Sequence, residues 1–305
     1  MFPIIPANSV TAVSGNQEGI FGFGEAAANT AVTNLVSNAG VVSSDVAGVG
    51  TARFNLAACE YGGDKGIFGY GYRYGSAQGW VTNLVSNAGV VATDTAGVGT
   101  ARYYLAACGY GGDKGIFGFG APTGSTVTAV TNLVSNAGVV ASDTAGVGTA
   151  KSHHAACEYG GDKGIFGYGT TDHGSALVAE TNLVSNAGVV ATDVTGVGTA
   201  RYASAACSYG GDKGIFGYGY AGDVVSMTNL VSNSGVVATD TAGVGSARST
   251  IAATQYGGDK GIFGFGYIHP SRVSLTNLVS NAGVVATDTA GVGTGRSGPS
   301  ACSFN

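Results

Sequence analysis

Charge is scarce in this chain of 305 residues: Asp, Glu, Lys and Arg make up 10% of it, where a typical soluble domain carries about 25%. Lys and Arg number 13 against 18 Asp and Glu, the net charge is −5, and no charged tract exceeds two adjacent residues. A protein that tracks a phosphate backbone needs a basic face, so no nucleic-acid partner is expected. Long apolar runs are missing as well. Gly, Asn, Ser and Thr interrupt every run before it reaches the roughly 18 residues that a membrane helix requires, so no membrane span is expected. Met1 to Val10 has neither the basic nor the long apolar region of a secretory signal. Helical periodicity is absent throughout. Apolar residues nevertheless make up 44% of the chain, enough to bury a core and to argue against disorder.

What is abundant is glycine, with 55 residues, and repetition. The string GIFG begins at Gly19, Gly66, Gly115, Gly164, Gly214 and Gly261, and TNLVSN begins at Thr33, Thr82, Thr131, Thr181, Thr228 and Thr276. Steps of 47 to 50 residues give six copies that fill the chain. Each copy offers four short strands, here called a to d: Leu105 to Tyr110, Lys114 to Gly120, Val130 to Asn136 and Gly138 to Asp143 in the third copy. Gly, Asn and Asp clusters punctuate them as tight turns do. Four strands in such a period fit a propeller blade, whereas solenoid coils are usually shorter and a sandwich does not repeat six times. The expected fold is all-β, a six-bladed propeller of four-stranded antiparallel blades. Residues 1–18 serve as a tether or lead-in strand and 19–305 as a single domain. A period of two places Phe117 and Phe119 on one sheet face.

The order of these elements resembles the kelch type of β-propeller. AACGYGGDKGIFGFG, then TNLVSNAGVV, then GVGTAR follow that family's sequence of strands, paired glycines and a lead-in Arg, over nearly the whole chain. The double glycine is here Gly118-Phe119-Gly120, and the usual Trp of the fourth strand is replaced by Val139 or Val140. The Gly-rich array is also similar to repeat proteins of marine phage and bacteria, tail-fibre and surface components among them. That likeness implies an extracellular, cell-surface or virion setting.

The ends suggest how the ring closes. Ala301, Cys302 and Phe304 align with Ala107, Cys108 and Tyr110 of strand a, so the C-terminal segment is expected to complete the N-terminal blade, with Val10 to Gly15 as a rival. Met1 to Pro6 is then free to tether an assembly partner. The cysteines Cys59, Cys108, Cys157, Cys207 and Cys302 share one repeat position, where the remaining copy has Thr254. An odd set of equivalent positions is not a disulfide framework, and buried small hydrophobes are expected. Of the 31 charged residues, 22 recur at fixed repeat positions. These are the Asp-Lys pairs such as Asp113-Lys114, the six Asp typified by Asp143, and the six Arg or Lys typified by Arg102. Turn chemistry and pairing between strands or blades account for a charge present in every copy.

The copies differ strongly in two windows. One lies between strands b and c: Glu25 to Val32, Tyr72 to Val81, Ala121 to Val130, Thr170 to Glu180, Tyr220 to Met227 and Tyr267 to Leu275. The other is the three residues after the lead-in Arg or Lys: FNL, YYL, SHH, YAS, STI and SGP. Elsewhere the copies read as nearly identical. Loops of an up-and-down blade alternate between the two faces of the disc, so both windows emerge on one side, the arrangement of a recognition surface. The windows hold the only Trp, Trp80, and all four histidines, His153, His154, His173 and His269. They also hold Tyr72, Tyr74, Tyr103, Tyr104, Tyr202, Tyr267, Arg73 and Arg272. Trp, Tyr and Arg anchor binding sites, so these residues are the candidate ligand contacts. A metal site at His153, His154 and His173 is disfavoured because adjacent strand residues point to opposite faces.

No nucleophile, phosphate loop or spaced carboxylate pair supports an enzyme, and no cofactor is implied. The expected function is non-enzymatic recognition of a glycan or a surface receptor protein through the variable face. Assembly partners would meet the uniform face or Met1 to Pro6. The alternative is a purely structural protein that self-assembles into a filament or coat.

Overall fold

The computed structural model describes residues 17–75 and 80–304. The expected lead-in over residues 1–18 falls mainly outside them, and the Met1 to Pro6 tether and the rival closing strand Val10 to Gly15 wholly so. The described residues contain no helix, and their strands form six three-stranded antiparallel sheets and one two-stranded hairpin. In the third copy strand a is Ala106–Tyr110, strand b Lys114–Gly118 and strand c Thr131–Val134. Strand b is central, paired as Cys108 with Ile116 and as Ile116 with Leu133. The other sheets repeat this register. In the sheet that holds Glu18–Gly22 and Thr33–Val36, strand a is the C-terminal Ser300–Phe304, with Ile20 opposite Cys302.

Strand d is not a ladder strand. Two isolated bridges, Val134 to Val140 and Thr131 to Thr144, join it to strand c, and the Ala141 amide donates to the Leu133 carbonyl at 2.8 Å. Between them the Ala141 carbonyl accepts a hydrogen bond from the Asn132 side chain at 3.0 Å, replacing a backbone rung. The four-stranded blade is therefore a three-stranded sheet with an edge segment pinned by a side chain. Strand b is also shorter than its apolar run. Phe119 has φ 58° and Gly120 φ 102°, which ends the extended conformation at Gly118. Phe117 and Phe119 consequently face opposite neighbours: Phe117 packs against Tyr70 of the preceding sheet, and Phe119 against Phe166 of the following one. In the fifth copy strands b and c run on to Lys213–Tyr220 and Val224–Val231, so most of the window expected as a loop is hairpin.

The core lies between sheets. Each of the six apolar clusters joins residues of two consecutive sheets, for example Cys59, Ile67 and Tyr70 with Ala107, Phe117 and Val134. Glycines of strand b make this contact possible: a Cβ on Gly69 would sit 2.7 Å from Phe117, and one on Gly115 would sit 2.5 Å from the Cys59 sulfur. All five thiols are buried and unpaired.

The recurring charges join the lead-in segment to the outer strand. Arg102 is fully buried and lies over the Tyr70 ring of the preceding sheet at 4.4 Å. It donates to the Phe119 carbonyl at 2.8 Å and to Asn132 Oδ1 at 2.6 Å. Asn132 donates to Asp143 at 2.9 Å, and Asp143 accepts from the Thr100 hydroxyl at 2.6 Å. Asp143 thus answers Thr100 and Arg102 across the sheet, with Asn132 between the charges, rather than the Lys151 that follows it in sequence.

Candidate functional site

In every copy the two variable windows bridge each other, as Phe54 with Tyr72, Tyr103 with Ala121, and Tyr202 with Tyr220. Both windows therefore reach one side of the molecule, and their aromatic rings meet across copies. Tyr74 touches Phe54 at 5.2 Å between centroids, Phe54 touches Tyr72 at 5.6 Å, and Tyr72 touches Tyr103 at 5.2 Å. The series continues from Tyr103 to Tyr104 at 4.8 Å, to a stacked His153 at 3.3 Å, then to Tyr202 at 5.4 Å and Tyr220 at 5.3 Å. His173 joins edge-on, 6.1 Å from His153. Geometries of this kind suit aromatic quadrupoles.

The belt extends into a polar cluster. The Tyr74 hydroxyl donates to Glu25 at 2.9 Å, and Arg272 pairs with the same carboxylate at 2.6 Å. Arg272 lies opposite Tyr267 in the short hairpin, and the Tyr267 hydroxyl is 3.1 Å from His269. Arg73 and Trp80 are exposed but take part in none of the ring contacts or ion pairs among the described residues. His154 departs from the expected surface role. It is 5% exposed and turned inward between Phe119 and Phe166, because it lies at the position held by Leu56 and Leu105 in the preceding copies. Phe54, Tyr220 and Glu25 belong to the belt without having been singled out, although all three stand in the variable windows.

A backbone circuit underlies the belt. The amide of Tyr104 donates to the Asn55 carbonyl, His153 to Tyr104, Ala203 to His153, Thr250 to Ala203, Gly298 to Thr250, and Asn55 to Gly298, all within 2.8 to 2.9 Å. Each of these residues has positive φ, between 50° and 56°. That conformation is uncommon for residues with a Cβ and is held here by the neighbouring copies. The stacked pair within the belt, Tyr104 and His153, is neutral. Burial, followed by the nearby His173, holds the His153 imidazole down to about 3, and burial pushes the Tyr104 phenol up to about 12.

No family model matches the chain, and no curated protein matches its sequence. The residues must speak through their geometry alone.

Inside the backbone circuit, strands a line a cavity of about 130 Å³, with a smaller mouth of about 70 Å³ on the belt side. The cavity wall ends, at the other side, on a strand position where the copies do differ: Glu60, Glu158, Ser208, Gln255 and Ser303 line it, and the remaining copy has Gly109 there. This variation was legible in CEY, CGY, CEY, CSY, TQY and CSF, yet single-residue differences inside uniform strands are easily passed over. Gly109 leaves space that two carboxyl groups fill: its Cβ would lie 2.5 Å from Glu60 and 3.3 Å from Glu158. The two side chains are within hydrogen-bonding reach of each other. Burial raises both carboxyls above their ordinary range; proximity to Glu60 raises Glu158 further, while hydrogen bonding to Glu158 and Ser303 partly offsets the rise at Glu60. The residues lining the cavity include no Lys or Arg, so the pair is expected to retain one proton between its two carboxyls.

Proposed function

We propose that the chain is a six-bladed, kelch-like propeller that recognises a glycan through the belt face, as the non-catalytic binding part of a surface or phage-tail assembly. Support for the ring comes from neighbour relations. Strand a of each sheet packs beside strand a of the next, Ser300–Phe304 packs against both Ala252–Tyr256 and Ala57–Tyr61, and the backbone circuit returns to its start.

The observation that carries the recognition reading is the unbroken series of aromatic rings from Tyr74 to Tyr220. Flat, uncharged rings with hydroxyl edges offer C–H faces of a sugar a stacking surface and its hydroxyls hydrogen-bond partners. Enzymatic hydrolysis of that glycan is disfavoured by the one carboxyl pair near the axis. Glycosidases separate their two carboxyls by roughly 5 to 9.5 Å, whereas Glu60 and Glu158 are within hydrogen-bonding reach.

Binding of the labelled protein to a glycan array, beside a Tyr72→Ala, Tyr103→Ala double variant, tests this reading. Loss of a hot-spot aromatic costs about 2 kcal/mol or more, so the double variant should bind at least tenfold more weakly, while Trp80→Ala should bind like the parent. Undiminished binding by the double variant would overturn the belt as the site. Failure of the parent itself to bind any glycan would transfer the face to a protein receptor.

A second reading has its own observation. On the opposite face, Val41, Val90, Val139, Val189, Val236 and Val284 are each 65 to 66% exposed. They stand beside turns where Asn136 and its equivalents bond the Asp of the Asp-Lys pairs. Such a repeated apolar patch fits an assembly contact, which electron microscopy of concentrated protein would reveal as filaments or stacks.

A further inference from the structure

The fourth copy departs from the others at two positions that meet in one buried place. At the lead-in position the other copies use Arg53, Arg102, Arg201, Arg248 and Arg296, and this one uses Lys151. Immediately before TNLVSN the others use Val32, Val81, Val130, Met227 and Leu275, and this one uses Glu180. Each Arg donates to the carboxamide oxygen of an Asn in strand c, as Arg53 does to Asn83 and Arg201 to Asn229. Lys151 keeps that bond, with Nζ 2.7 Å from Oδ1 of Asn182, and among the described residues its one other bond is to the Glu180 carbonyl at 3.3 Å. Lys151 and Asn182 are both fully buried, and the Phe119 ring covers the amine at 5.1 Å. Nδ2 of Asn182 donates to Asp193 at 2.8 Å and to the Ala191 carbonyl at 3.1 Å. Oε2 of Glu180 is buried without a hydrogen-bond partner among the described residues, and its carboxylate acts on the Lys151 charge. His154, the other titratable group beside this amine, is held neutral by burial and then by Lys151. A guanidinium keeps its proton in a protein and cannot attack a carbonyl, whereas a desolvated lysine amine can. Burial brings the Lys151 amine down to about 8, against the opposing pull of Asp193 and Glu180.

We propose that Lys151 and Asn182 become joined by an intramolecular isopeptide bond, formed by the chain itself with loss of ammonia. Glu180 takes the first proton from the Lys151 ammonium. The free amine attacks Cγ of Asn182, one bond from the oxygen it already contacts, and the carbonyl electron pair moves onto Oδ1. The attacking nitrogen then sheds a second proton to Asp193, which passes it to the Nδ2 atom it already holds. The bond from Cγ to Nδ2 breaks as the carbonyl re-forms, and the ammonia leaves as ammonium with the proton stored on Glu180. No oxidant, metal or second molecule enters the balance. The fold holds the two groups in contact, which converts their meeting into a unimolecular step, and burial under Phe119 keeps water from competing for the same carbon. The product ties the lead-in to strand c across 31 positions of the chain, where the other copies rely on a guanidinium. It stands independently of what the belt binds.

Intact mass spectrometry of the denatured full chain, followed by tryptic mapping, tests the proposal. The parent should weigh one ammonia less than its sequence requires. Trypsin does not cleave after an acylated lysine, so residues 115–163 and 164–201 should be recovered as one branched product. Lys151→Arg restores the residue of the other five copies, so it should fold as the parent does, carry its full mass and yield no branched product. Glu180→Gln keeps the shape of the side chain and removes its proton-accepting oxygen. Loss of a proton carrier slows such a step by about a hundredfold or more, so this variant should retain its ammonia when freshly purified and lose it only on long incubation at pH 8 to 9. Full mass in the parent after that incubation overturns the proposal. Ammonia loss that persists in Lys151→Arg does so too, as does a lighter parent without the branched product, the result that a cyclised asparagine gives. Ammonia loss from Glu180→Gln as fast as from the parent overturns the proton path through Glu180.

Discussion

Glu60 and Glu158 show what one residue can do to an otherwise uniform scaffold. At equivalent positions the other copies use Gly109, Ser208, Gln255 and Ser303, none of which ionises. The two carboxyls are held above their ordinary range chiefly by burial, so the native state retains a proton that the unfolded chain releases near its reference value of about 4.3. The sign follows from linkage. A raised folded-state value means that stability is fully present below the unfolded value and is lost as pH climbs through and above it toward the folded one. Glu158→Gln, which copies the chemistry of Gln255, should therefore melt higher than the parent at pH 8 to 9 and flatten the pH dependence between about pH 5 and 9. A thermal melt series across that range checks it. An unchanged slope would mean that the pair does not share a proton. His153 works in the opposite direction. Its lowered value of about 3 makes its contribution present above the unfolded value near 6.5 and lost as pH falls toward 3, which leaves this one imidazole uncharged above that value.

At the scale of elements, the segment after strand c takes from a side chain one rung that a strand would take from its backbone. Asn132 is fully buried, donates to Ala141 and Asp143, and accepts from Arg102. Asn132→Ala leaves a buried guanidinium without one partner and frees the Ala141 carbonyl, a loss of about 3 kcal/mol for an uncompensated buried charge. Hydrogen exchange should then quicken at Ala141 and Thr144, with strands a and b protected as before. Uniform protection across the sheet would show that packing and the backbone bonds hold the segment without Asn132. This is also where sequence reading reached its limit. GIFG and TNLVSN were read correctly as strands because pattern and turn residues agree, and the C-terminal segment was matched to strand a by residue identity. The segment Gly138 to Asp143 has the same apolar character, yet a side chain replacing a rung leaves no periodic signature. Phe119 was placed on the wrong face because alternation assumes extended backbone, and its positive φ is imposed by neighbouring copies. The windows could be read from the disagreement of the copies. The joining of their rings into one belt could not, since Tyr72, Tyr103 and Tyr202 stand in three different copies.

At the scale of the whole molecule, the first sheet is the only one assembled from both ends of the chain, and this tests the closed propeller proposed above. Ser300–Phe304 contributes a complete ladder from Glu18 opposite Phe304 to Gly22 opposite Ser300. It buries Ala301, Cys302 and Phe304 against neighbouring sheets. Asp45 meanwhile accepts from the Thr294 amide and hydroxyl, and Arg296 donates to Asn34, repeating across the closure the bonds found within each other sheet. Removal of residues 299–305 would therefore expose the edge of strand Glu18–Gly22 and forfeit a buried Phe, whose loss alone costs about 3 to 5 kcal/mol. The truncated chain should unfold or associate at temperatures where the parent is a stable monodisperse species by light scattering. Geometry also supplies the control. Phe304 lies opposite Glu18, as Tyr110 lies opposite Lys114 across the short turn Gly111-Gly112-Asp113. A permuted chain that joins Phe304 to Glu18 through Gly-Gly-Asp, leaves out residues 1–17 and Asn305, and opens between Gly112 and Asp113 keeps every sheet and changes only which one is closed by the ends. If closure is a cyclic property of equivalent sheets, this permutant should melt within about 1 kcal/mol of the parent and keep its glycan profile, since permutation at exposed turns is tolerated. A permutant as unstable as the truncation would show that the first sheet is not equivalent to the rest, and the ring would have to be described as five sheets and a distinct clasp.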